Sequence, residues 1–108
     1  MYILLDNRQA VRETIGKVIE LKRAVTDTEN SLASKRYALG EIDKEQGRIR
    51  SNMGAVNASS QYYSRLLEKL NSQETEIENI QAEIRTIDKK LDDQRQELEN
   101  YLANLSIA

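Results

Sequence analysis

The sequence predicts an all-α protein, a long antiparallel two-helix coiled-coil hairpin formed by its 108 residues. Three observations predict it. The chain contains no Pro, a residue that costs about 3 kcal/mol inside a helix. It also lacks Phe and Trp, the side chains that normally fill a globular centre, so its core is a thin seam. Finally, apolar residues recur at steps of three and four along two long runs, separated by a short stretch rich in Gly, Asn and Ser.

The first element opens with MYILLDN, the densest apolar run in a chain that is 31% charged. A membrane span needs about 20 apolar residues, so this run does not provide one. It also lacks the basic flank and cleavage site of a signal peptide. Asp6, followed three residues later by Gln9, reads as a capping box, which starts the first helix near residue 7. Val25, Thr28, Leu32, Lys35, Leu39, Ile42, Gln46, Ile49 and Met53 then mark its buried line. Upstream, Val11, Ile15 and Val18 continue that line with a slip of register before Val25. Leu21 or Lys22 fills the gap, and such a stammer overwinds a supercoil locally. Gly54 suits a C-terminal cap, ending the helix near residue 53.

The connection spans about 54–59, and Asn57, Ser59 or Ser60 can cap the next helix. That helix, about 60–106, carries the cleaner repeat. Tyr63, Leu66, Leu70, Gln73, Ile77, Ile80, Ile84, Ile87, Leu91, Gln94, Leu98, Tyr101 and Leu105 follow the alternation without a break. At 1.5 Å per residue each helix is roughly 70 Å long, and so short a connection turns them antiparallel. Folding back pairs Leu39 with Ile77, Leu32 with Ile84, Thr28 with Ile87 and Ile15 with Tyr101. Gln46 and Gln73 fall in adjacent layers, where their amides can bond across the seam and pin the register. Lys35 can bury its stem and lift its ammonium to water.

Chemistry is sparse. There is no Cys and no His, which removes thiolate chemistry, disulfides and the usual neutral-pH acid–base group. Carboxylates share a helix face at Glu74 with Glu78 and at Asp88 with Asp92. A two-helix hairpin, however, offers no water-poor pocket to perturb them. No catalytic, cofactor-binding or metal residues are assigned, no cofactor is expected, and an enzyme is the least favoured class.

Three features point to interactions. Apolar residues gather where the termini meet, at Ile3, Leu4, Leu5, Ile19, Leu21, Leu102 and Ile107, and so large a patch marks an interface more often than local packing. Ala33, Gly40, Gly47 and Gly54 recur every seven residues, a smooth stripe suited either to a partner helix or to tolerated surface glycine. Residues 44–70 hold Lys44, Arg48, Arg50, Arg65 and Lys69 against Glu45 and Glu68, whereas residues 71–108 hold nine acidic side chains against four basic. The basic tip, with Arg48, Arg50, Asn52, Arg65 and Lys69, either touches phosphate or an acidic partner or is simply solvated. The net charge of −2 favours neither nucleic acid nor membrane.

The stretches QGRIRSNM (Gln46 to Met53) and SQYYSRLLEKLNSQETEIENI (Ser60 to Ile80) resemble the coiled-coil segment of a bacterial family of unknown function related to mucoidy inhibitor A proteins. The matching positions are Gln46, Arg48, Ile49, Arg50, Asn52, Met53, Tyr63, Arg65, Lys69, Leu70, Gln73 and Glu74. The resemblance covers the middle third of the chain well, the outer helices only as generic coiled coil, and Gly47 and Gly54 depart from it. It implies a hairpin excised from a larger protein with β-rich portions, and it brings no known reaction. The expectation is therefore a structural or protein–protein interaction arm. Its partner is another copy, with a dimer favoured, or a neighbouring domain. The alternatives are a nucleic-acid-contacting arm and a holdase-like chaperone. Nothing in the residues sets the compartment.

Overall fold

The computed structural model describes residues 2–107, with side chains described over 7–105. It is a two-helix hairpin, α1 (Tyr2–Gly54) and α2 (Gln61–Ile107), with no strand among the described residues. The chain divides into two compact units: a turn unit, Leu32–Thr86, and a base unit made of Met1–Ser31 and Ile87–Ala108.

In the turn unit, the cross-helix bonds run in opposite senses along the two helices. Lys69 Nζ meets Glu45 Oε1 at 2.6 Å, and Lys35 Nζ meets Glu83 Oε2 at 2.5 Å. Partners closer to the start of α1 are further along α2, as antiparallel packing requires. Leu32, Ile42, Gln46 and Ile49 are buried against Leu66, Gln73 and Ile80. Leu39 and Ile77, expected as one layer, line the same side groove. Lys35 is half-buried, with its ammonium carried out to Glu83, as its long stem allows.

The base unit corrects the register of α1. There is no slip. Thr14, Val18, Leu21, Val25 and Thr28 hold the four–three alternation, with Leu21 and Thr28 buried and the other three half-buried. Val11 and Ile15, expected in the seam, are 56% and 54% exposed, and Leu105 is 37% exposed. Thr14 disguises the true line because it is polar, while Ile15 imitates it because it is apolar. An unbroken repeat also avoids the local overwinding that a stammer imposes. Thr28 and Ile87 line one recess, in keeping with their expected layer.

The helix ends differ from expectation as well. α1 runs from Tyr2 straight through Asp6, so the helix does not start near residue 7; the side chain of Asp6 lies outside the described residues. No Gly or Pro interrupts residues 2–7, and the helical ladder has no reason to start later. Gln9 does not reach back; its Nε2 donates to Glu13 Oε1 at 3.3 Å. Gly54 lies inside α1, and no described residue has positive φ, so it is not a left-handed cap. The helix instead closes by tighter bonds, from Ala55 N–H to Asn52 O at 3.1 Å and from Val56 N–H to Met53 O at 3.4 Å.

The connection then organises itself. Asn57 Oδ1 accepts from Ser59 N–H at 2.9 Å and from Ser59 Oγ at 2.8 Å. Asn57 O accepts from Ser60 N–H at 3.0 Å. Of the three candidate caps, Ser60 is the one used: its Oγ accepts from Tyr63 N–H at 3.1 Å, the geometry of a side-chain N-cap.

Candidate interaction surface

The tip residues lie in the turn unit. Their cations are partly committed to neighbours. Lys69 pairs with Glu45, and Arg50 Nη2 donates to Gln46 Oε1 at 3.4 Å. The Glu45 carboxyl is held below its ordinary range, first by the hydrogen bond and charge of Lys69 and then by the nearby charge of Arg48. Lys44, also basic and nearby, bonds Glu41 at 3.3 Å. Arg48 and Arg65 are exposed. Asn52 serves the backbone, its carbonyl accepting from Ala55 N–H.

The expected amide contact between Gln46 and Gln73 is absent. Gln46 Nε2 donates to Glu74 Oε1 at 3.2 Å, and its own Oε1 is taken by Arg50. A charged acceptor and a charged donor at the rim make stronger bonds than a second neutral amide. The buried Oε1 of Gln73 has no partner among the described residues, and the same holds for Gln94. The Glu74 carboxylate, considered in the sequence beside Glu78, therefore serves the seam. Among the described residues no three acidic side chains gather where a metal ion could sit.

Along the small-residue stripe, Ala33, Gly40, Gly47 and Gly54 are all exposed. A methyl group built on any of the glycines meets nothing within 4 Å. Gly40 borders the open groove it shares with Arg36, Leu39, Asp43, Ile77 and Gln81.

At the base, the side chains of Ile3, Leu4, Leu5 and Ile107 lie outside the described residues. Of the remainder, Leu21 belongs to the seam, whereas Ile19 is 50% and Leu102 39% exposed. The sequence missed one member of this patch, Ile15, because it placed it in the seam; Ile15 and Ile19 are four residues apart and share a face of α1 beside the buried line, whereas Val11 keeps step with Val18 although it is exposed. The missed signal was that Thr14 and Leu21, not Ile15, keep step with Val25 and Thr28.

No helix among the described residues is long and apolar enough to cross a membrane. No protein-family model matches the chain, and neither a curated protein nor a solved structure does.

Proposed function

We propose that the chain is a non-enzymatic coiled-coil arm that associates with protein through its base, first of all with another copy of itself. One observation carries this reading. Ile15 and Ile19 stand half-exposed side by side on α1, next to a seam that runs through Val18, Leu21 and Val25 without using them. Apolar side chains left over after the seam is filled contribute little to the hairpin and much to a contact. The resemblance of the middle third to a coiled-coil segment of larger proteins favours the same reading, with a neighbouring domain as the other kind of partner.

The nucleic-acid reading has weaker support. Lys69 and Arg50, half of the cationic tip set, already bond within the hairpin, and phosphate binding would have to compete with those bonds. No observation favours the holdase reading over a specific contact.

Light scattering across concentration tests the proposal. The expected result is a mass rising above the 12.4 kDa of one chain, and falling back to it in an Ile19→Glu variant. A mass that stays at one chain at the highest attainable concentration sinks the reading.

A further inference from the structure

We propose that the flank of the base unit carrying Ile15 and Ile19 pairs with the same flank of a second copy, about a two-fold axis running along the helices, so that each α1 lies on the other copy's α2. This deepens the self-association proposed above and rests on it.

The contact that fixes the geometry is Arg95 Nη2 to Glu29 Oε2 at 3.1 Å, which joins one flank of α1 to one flank of α2. On a helix with a heptad seam, steps of seven return to the same line. From Glu29 those steps reach Lys22, Ile15 and Arg8; from Arg95 they reach Leu102. Neighbours three and four residues away share a face, which adds Asp92 and Glu99 beside Arg95. This flank is therefore basic and apolar on its α1 side, and acidic on its α2 side with Leu102 among the acids. Arg8, Lys22, Asp92 and Glu99 are exposed, and no ion pair among the described residues uses them.

Two symmetric ways exist to lay this flank on its copy. An axis across the helices sets α1 on α1, with Arg8 and Lys22 facing the same cations. An axis along the helices sets α1 on α2 twice over. Lys22 then faces the region of Asp92, and Ile15 comes close to level with Leu102. Like charges brought together at an interface select against an orientation, and opposite charges favour the other. The distribution of sign therefore picks the parallel arrangement, base beside base.

Sedimentation equilibrium of the full chain over the micromolar range tests this, with helicity by circular dichroism to separate dissociation from unfolding. The wild type is expected to dimerise, and Ile15→Asp to abolish the dimer while keeping the helix. Ile19→Asp replaces it should helicity fall. Lys22→Glu should weaken association about tenfold, and adding Asp92→Lys should restore most of that loss. Dissociation by Ile15→Asp without rescue by the charge exchange overturns the orientation and leaves self-association standing. A monomer at every concentration overturns both, and monomers that instead bind anionic phospholipid vesicles through the basic flank assign that flank to lipid.

Discussion

Gln73 is the residue whose surroundings fit it least. It is 6% exposed, and its carbonyl oxygen finds no donor, whereas Gln46 one layer away is fully used by Glu74 and Arg50. A buried acceptor without a partner costs about 1–3 kcal/mol. Gln73→Leu should therefore stabilise the hairpin by about 1 kcal/mol or more in urea unfolding. Gln46→Leu should gain clearly less, since it breaks two bonds. The opposite order would mean that the amide of Gln73 is satisfied in solution. Glu45 sets the acid response of the tip. A carboxyl lowered in the folded state stabilises above its ordinary range, and that contribution fades as pH falls through the lowered value. Melting temperature should thus drop over that acidic window in the wild type, and less so in Glu45→Gln. Lys69→Met should flatten the same window, because Lys69 is the larger cause of the shift.

For the helices, the informative comparison is between two apolar residues of α1. Leu21 is 6% exposed and Ile15 54%. Leu21→Ala should cost about 2–5 kcal/mol, while Ile15→Ala should be within about 0.5 kcal/mol of neutral, when both are unfolded at concentrations where the chain is monomeric. Similar costs at the two sites would reinstate a slipped register. The glycines give a test of the opposite sign. Gly40 and Gly47 are helical, have negative φ and leave open space where a methyl would go. Each change to Ala should stabilise the helix by about 0.5–1 kcal/mol. α2 was legible in full from Tyr63 to Tyr101, because its seam residues are nearly all large and apolar. The start of α1 was misread because Thr14 stands in its seam, and hydrophobic spacing does not register a polar residue that is covered for its position. Its first turn and last glycine were misread for a related reason. Cap motifs describe local chemistry, and the helical ladder extends through them whenever nothing stops it.

On the scale of the molecule, the two units are filled unequally. Among the described residues the turn unit holds seven buried side chains, drawn from both helices, and the base unit three, with Val11 and Leu105 exposed towards its ends. Amide exchange should be slowest within Leu32–Thr86 and quicken towards both ends of the chain, as local openings do where few apolar contacts hold them. Uniform protection along both helices of the monomer would contradict this. The hairpin as a whole was legible in the sequence, since a missing proline and two matched repeats leave few alternatives. The proposed interaction surface was only partly so. Its apolar concentration was visible, but that Ile15 belongs to it rather than to the seam depended on a register that only the packed helices reveal.

The base unit is assembled from two segments far apart in the sequence, and this has a consequence during synthesis. Its α1 segment leaves the ribosome well before its mates, from Ile87 onward, are translated. At about 5–20 residues per second, Leu21 waits several seconds before Gln94 and Leu98 exist to cover it. The nascent α1 thus carries an unshielded greasy strip until α2 has been made, and this end of the hairpin closes only after the turn unit has all its partners.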